Sequence, residues 1–91
     1  MTICKLEKMP YAQAHVEISE NGVALFSYTT LAAHIDPEGW LSMHCLCSQT
    51  TRRHVSAFVA EYAGLEYSVA KMLYKDGLRM NLETGELDPA D

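Results

Sequence analysis

The residues of this chain whose types and spacing could do chemistry are concentrated between positions 44 and 54. His44, Cys45, Cys47 and His54 carry the nitrogen and sulfur atoms that zinc prefers. On a strand, the two cysteines would project from the same face about 7 Å apart, so two thiolates could share one metal. The segment lacks a Cys-x-x-Cys knuckle and a second ligand pair. We therefore expect the cysteines to act as small hydrophobes, and we predict no metal and no other cofactor.

A cysteine nucleophile is a second interpretation of the same residues. Cys47 would lie near the N-terminus of a helix, where the helix dipole lowers the pKa of a thiol, and His54 could act as its base. Nothing in so short a chain supplies an evident oxyanion hole or substrate pocket. We therefore expect that the protein is not an enzyme. A metal- or thiol-dependent site at His44, Cys45, Cys47 and His54 is the alternative hypothesis.

The segment Ser48–His54 forms a polar corner that reads Ser-Gln-Thr-Thr-Arg-Arg-His. Ser48 and Thr50 both suit a helix N-cap, because a hydroxyl oxygen can accept a bond from an unpaired N–H group of the first turn. Free N–H groups, hydroxyls and two guanidinium groups would also suit a phosphate or a carboxylate. We favour the simpler interpretation, in which the hydroxyls cap the helix and the arginines pair with acids such as Glu61 or Glu66.

Five residues on the two predicted helices are candidate contacts for a protein partner. Arg52, Arg53 and Ser56 should lie on the exposed side of the first helix. Tyr67 and Tyr74 are seven residues apart in the sequence, so they share one face of the second helix, beside its apolar stripe. Exposed tyrosine and arginine side chains are what protein interfaces favour.

The strands that lead to these helices are predicted in three segments. Ala12–Ile18 alternates apolar and polar residues, Val23–Ile35 is rich in β-branched and aromatic residues, and both faces of Trp40–Cys47 look partly covered. The second segment is too long for one strand, so we expect a bulge or kink near residues 28–30. The Asn-Gly pair within Ser19–Gly22 indicates a hairpin, and Asp36–Gly39 indicates a turn.

Helical spacing of apolar residues begins after the polar corner. The first helix, from about Thr51 to Gly64, would place one stripe on the sheet: Val55, Phe58, Val59 and Tyr62. A second helix is predicted from about Leu65 to Lys75, with Gly77 ending it. The alternation in Leu78–Leu82 predicts a short edge strand.

These elements predict an α+β fold in one domain spanning residues 1–91. We expect a three- to four-stranded antiparallel meander at residues 12–47, followed by two C-terminal helices at residues 50–76 packed on one sheet face. Residues 1–11 are ambiguous between a short strand and an N-terminal arm, and we assign them as an arm. Residues 83–91 are expected to form a flexible acidic tail.

Composition limits the classes of function. The chain has 7 Lys and Arg against 12 Asp and Glu, a net charge of −5, which argues against direct binding of nucleic acid. No apolar run approaches the roughly 18 residues of a membrane span, so we expect no membrane partner. An odd number of cysteines without a signal-peptide pattern indicates a reduced, cytoplasmic protein.

Two segments of the chain resemble small phage and prophage proteins of unassigned function. The first reads Phe-Ser-Tyr-x-Thr-x-x-Ala from Phe26. The second reads Ser-x-Thr-Thr-x-x-His at a helix start and is matched here by Ser48, Thr50, Thr51, His54, Val55 and Phe58. The resemblance covers residues 22–63 and implies no known activity. It fits a structural motif in which the hydroxyls cap the helix, His54 tucks over the first turn and Tyr28 bonds to the corner.

The function that we expect is a non-enzymatic protein-binding module of a phage or mobile element. Its partner would be a host protein, and the module would act as an inhibitor of a host defence system such as a CRISPR-Cas effector. A small homodimeric regulatory protein that uses the second helix is a further alternative.

Overall fold

A computed structural model describes residues 1–90, which form one antiparallel sheet and two helices. The strands lie in the sheet in the order of the chain: β1 (Thr2–Cys4), β2 (Ala14–Ser19), β3 (Gly22–Ser27), β4 (Thr30–Ile35), β5 (Trp40–Met43), β6 (Leu78–Asn81) and β7 (Leu87–Pro89). The α+β class and the antiparallel meander are confirmed. The expected count of three to four strands is wrong, because these residues contain seven.

The two helices lie between β5 and β6 in the chain, so the expectation that they follow the whole sheet is wrong. Helix α1 (Gln49–Phe58) continues into a π-helical turn (Val59–Ala63), and helix α2 spans Tyr67–Asp76. Gly64 and Gly77 end the two helical segments in the left-handed conformation, with φ of 66° and 65°. Both were predicted as helix ends, and α2 begins two residues later than predicted.

The turns between the first strands agree with the sequence. The hairpin at Ser19–Gly22 joins β2 to β3. The predicted kink near residues 28–30 is confirmed, since Tyr28 separates β3 from β4 and has a φ of 57°. In the Asp36–Gly39 turn, the N–H of Gly39 donates to the carbonyl of Asp36 at 3.0 Å.

A β-bulge in β4 places two consecutive alanines in the core. The β3–β4 pairing shifts between Leu25 and Phe26, which leaves Ala32 as an extra residue on β4. Ala32 and Ala33 are both fully buried, whereas an undistorted strand would send them to opposite faces of the sheet.

The same bulge is associated with the early end of β5. The carbonyl of Ala32 accepts hydrogen bonds from the N–H groups of His44 and Cys45, at 2.7 and 3.2 Å. A strand through Cys47 was predicted, but β5 ends at Met43 because regular pairing stops where one carbonyl takes two donors. The chain then turns toward α1 without regular structure.

The C-terminal residues are part of the sheet. The segment predicted as an edge strand is β6, which lies between β5 and β7, so its edge position is wrong. The expected flexible tail at residues 83–91 is also wrong for β7, and Asp91 lies outside the described residues. Arg79 joins the three strands: its guanidinium carbon lies 4.3 Å from the Trp40 ring centroid, and its Nη2 lies 3.0 Å from Asp88 Oδ2.

The N-terminal segment 1–11, assigned as an arm, instead contributes β1, which pairs with β2. Leu6 follows β1 and is fully buried. Both helices cover the same face of the sheet, and Val55, Phe58 and Val59 are fully buried there. No helix within residues 1–90 is long and apolar enough to span a membrane.

Candidate functional site

The polar corner begins α1 with one of the two N-caps that the sequence predicted, Ser48. Ser48 has an extended backbone, with φ of −133° and ψ of 159°, and its Oγ accepts the N–H of Thr51 at 3.1 Å. The Ser48 hydroxyl also donates to Oγ1 of Thr51 at 2.9 Å. Thr50 lies inside the helix and is exposed, so the cap is Ser48.

Beneath the corner, three buried polar side chains from β3 and α1 form a closed hydrogen-bond network. The Oγ of Ser27 lies 3.1 Å from Oγ1 of Thr51 and 2.8 Å from Nδ1 of His54. The exposed fractions of Ser27, Thr51 and His54 are 1%, 6% and 2%. Buried polar groups are tolerated when they bond to each other, so this network fixes the start of α1 on the sheet.

Sequence reasoning missed Ser27 as the partner of His54. The signal was present, because Ser27 follows Leu25 on the inward-facing side of β3 and is polar where the pattern expects an apolar residue. The expected hydrogen bond from Tyr28 to the corner is not formed. The Tyr28 ring instead lies tilted beside His54, with 6.2 Å between the ring centroids.

The Ser27–His54 pair has the composition of a nucleophile and its base, but its location excludes that role in this conformation. Both side chains are almost fully buried, and the serine hydroxyl also contacts Thr51. A nucleophile must reach a substrate, and these atoms face packed protein. The pair therefore has a structural role.

Acid is expected to weaken the fold through His54. Burial lowers the pKa of His54 below its ordinary value of about 6.5. The unfolded chain therefore binds a proton at a pH where the folded chain does not. The contribution of neutral His54 to stability is fully present above about pH 6.5 and is lost as the pH falls from there through the lower pKa of the folded state. One such proton changes the free energy of unfolding by at most about 1.4 kcal/mol per pH unit.

The measurement is thermal unfolding as a function of pH for the wild type and for His54→Asn, whose amide can still bond Ser27. The variant should lose part of the acid sensitivity, whatever its stability at neutral pH. His44→Asn is a second test outside the buried network. Burial and the neighbouring His34 also lower the pKa of His44, so this variant should lose a separate part of the acid sensitivity. An unchanged pH dependence in His54→Asn would contradict the assignment.

The proposed metal or thiol residues do not assemble into one site. The Nδ1 of His54 bonds to Ser27, and no three His, Cys, Asp or Glu side chains in residues 1–90 lie close enough to hold a metal. Cys47 is exposed, and the neighbouring thiol of Cys45 raises the pKa of the Cys47 thiol. A nucleophilic thiol needs the opposite shift.

All five residues predicted to contact a partner lie on one surface, where they line two adjoining grooves. The larger groove, of about 420 Å³, is lined by Leu46, Arg52, Tyr67, Lys71, Tyr74 and Lys75. The smaller groove, of about 250 Å³, is lined by Gln49, Arg52, Arg53, Ser56 and Tyr67. Arg52 and Tyr67 line both grooves, so the two form one continuous surface, which we call the α1/α2 groove.

The arginines do not pair with glutamates, contrary to our expectation from the sequence. Within residues 1–90, the ion pairs are His15–Glu17 and Arg79–Asp88. Glu61 instead accepts the N–H of Glu7 at 2.8 Å. The charges of the α1/α2 groove are therefore not neutralised by ion pairs among these residues.

The guanidinium of Arg52 is held from its inner side. Its Nε donates to the carbonyl of Leu46 at 3.1 Å, and Leu46 itself is buried. Within residues 1–90, the terminal Nη1 and Nη2 groups of Arg52 donate no hydrogen bond. A guanidinium oriented in this way can offer its terminal N–H groups to an anion.

Comparison with known protein families gives a match over most of the chain. A model described as a family of unknown function (DUF8033) matches residues 2–76 of the chain. No curated protein and no solved structure matches.

Proposed function

Because the chain belongs to this family of unknown function, we propose its role from its own surface: it is a non-enzymatic protein-binding module that binds through the α1/α2 groove. The observation that carries the proposal is the junction of two exposed helix faces at Arg52 and Tyr67. Arginine and tyrosine are the side chains that most often supply binding energy at protein interfaces.

The side chains in the groove suit binding rather than folding. Arg52, Arg53 and Tyr74 are exposed, and Tyr67 is half-buried. The buried faces of the same helices already pack on the sheet through Val55, Phe58 and other apolar residues. The groove can therefore be filled or altered without changing the core that supports it.

The polar residues outside the groove support a non-enzymatic role. Ser27, Thr51 and His54 satisfy one another beneath α1. The Cys47 thiol has a raised pKa, which opposes nucleophilic chemistry at neutral pH. A binding role requires neither group to react.

The identity of the partner is a narrower part of the proposal. The proposal that the partner is a host protein, such as a CRISPR-Cas effector or another defence complex, is supported by the resemblance to phage proteins alone. A cytoplasmic location is part of the same proposal and is supported by three free cysteines: Cys4, Cys45 and Cys47.

The test is affinity capture from host lysate with three baits: the wild type, Arg52→Glu/Arg53→Glu and Lys5→Glu/Lys8→Glu. The two variants change the net charge equally, but only the first alters the groove. We expect a stoichiometric partner that is lost by at least about tenfold with the groove variant and kept with the control. Each bait is checked for folding by its thermal transition.

A partner kept equally by both variants would move the interface elsewhere and contradict the proposal. A homodimer is the other outcome, detected as a concentration-dependent mass that Tyr67→Ala and Tyr74→Ala abolish. A symmetric dimer through this groove is disfavoured, because it would bring the same cations of two copies, Arg52 and Lys71 among them, close together.

A further inference from the structure

We infer that the α1/α2 groove takes an acidic polypeptide segment, with a carboxylate on Arg52 and apolar side chains against the rings of Tyr67 and Tyr74. This inference rests on the proposed function, because it names the chemistry of the partner at the same surface. It follows from three observations: the local charge, the orientation of one guanidinium, and the spacing of two aromatic rings.

The groove is basic on an acidic protein. The whole chain carries 7 Lys and Arg and a net charge of −5. Four of these cations line the groove: Arg52, Arg53, Lys71 and Lys75. No acidic side chain is among its lining residues within the described chain, and none of the four cations forms an ion pair there. Charge complementarity therefore calls for an acidic partner surface.

Arg52 is the residue that orients a carboxylate. Because the carbonyl of Leu46 holds its Nε, the guanidinium loses less freedom when a ligand binds. A carboxylate can accept two parallel hydrogen bonds from one guanidinium, which fixes its orientation as well as its position. Lysine at this position would supply the charge without the planar pair of donors.

The second helix supplies the apolar part of the groove. Tyr67 and Tyr74 lie on one face of α2 with Lys71 between them, and the buried side chain of Leu46 forms part of the floor. Tyrosine rings offer apolar contact area at a low cost in side-chain entropy. A partner segment with acidic and apolar residues side by side would match this alternation of rings and cations.

A polypeptide fits these features better than a nucleic acid does. Four cations can neutralise only a few phosphates, and the 12 acidic residues of the chain would repel the rest of a polyanion. A peptide can instead place single carboxylates at the cations and apolar groups at the rings. The open, extended shape of the two adjoining grooves also suits a segment of chain more than an isolated small ligand.

The test uses fluorescence anisotropy with a short labelled peptide of alternating glutamate and leucine, and with a matched peptide in which glutamine replaces glutamate. We expect saturable binding of the acidic peptide that weakens with added salt, and no saturation by the glutamine peptide. Arg52→Gln should weaken binding about tenfold, and Arg52→Lys by about fivefold because the paired donors are lost. Lys5→Gln, which removes an exposed cation elsewhere, should bind like the wild type.

The inference would be overturned by equal binding of the two peptides, by wild-type affinity in Arg52→Lys, or by tighter binding of labelled oligothymidylate at the same salt concentration. Failure of the acidic peptide to bind would also overturn it. If affinity capture still yields a partner that depends on Arg52 and Arg53, the proposed function survives and only the acidic segment is wrong. If capture yields no partner either, both proposals fail.

Discussion

Phe58→Ala is expected to lower the free energy of unfolding by about 3–5 kcal/mol, which is a large part of the total stability of a small domain. Phe58 is the largest of the fully buried side chains. Its ring stacks on Tyr62, with 5.1 Å between centroids, where α1 passes into its π-helical turn. Alanine would leave a cavity under the helix that the rigid sheet could fill only partly.

Denaturant unfolding followed by circular dichroism gives the change in stability. Arg53→Ala is the matched control on the same helix, because Arg53 is exposed and alanine is a good helix former. The control should stay within about 0.5 kcal/mol of the wild type. A loss below about 1 kcal/mol in Phe58→Ala would show that α1 does not depend on this contact for its position.

Gly22→Ala is expected to destabilise the fold by about 3 kcal/mol or more, through strain rather than lost burial. Gly22 has a φ of 111°, a conformation that residues with a Cβ rarely adopt. An added Cβ would collide with the carbonyl oxygen of Ile35. That oxygen belongs to the backbone of β4, so no side chain can rotate to make room.

Gly64→Ala separates the cost of the backbone conformation from the cost of the steric clash. Gly64 also has a positive φ, of 66°, but an added Cβ would meet no atom within 4 Å. It should therefore show only the conformational cost, about 1–2 kcal/mol. The midpoint of thermal unfolding compares the variants, and equal losses for Gly22→Ala and Gly64→Ala would contradict the predicted clash.

The α1/α2 groove was only partly predictable. Arg52, Arg53 and Ser56 follow from helical spacing, and Tyr67 and Tyr74 follow from a second helical face. Their assembly into one groove did not follow, because it depends on how α2 packs beside α1 and on Leu46. The bond from Arg52 to the Leu46 carbonyl, on which the acidic-segment inference depends, is made to the irregular segment that follows the early end of β5.

The buried network of Ser27, Thr51 and His54 was also predictable only in part. The sequence narrowed the cap of α1 to Ser48 or Thr50, since a capping bond joins residues close together at one helix start, and the structure shows that it is Ser48. The bond between His54 and Ser27 joins residues that are far apart in the chain, and no local pattern names the partner. The resemblance motifs contain both residues, but only the packing of α1 on β3 brings them within 2.8 Å of each other.

The sequence by itself determined the features that neighbouring residues decide: the Asn-Gly hairpin, the break at Tyr28, the two candidate caps of α1, its buried stripe and the two glycines that end helices. These depend on backbone preferences and on contacts within a turn or two of helix. The tertiary structure decided which strands pair. The β6–β7 hairpin adds to β5 across the whole helical segment, and two short strands near the chain ends become ordered because neighbouring strands satisfy their N–H and C=O groups. Such pairings depend on distant partners, which is why local periodicity did not reveal them.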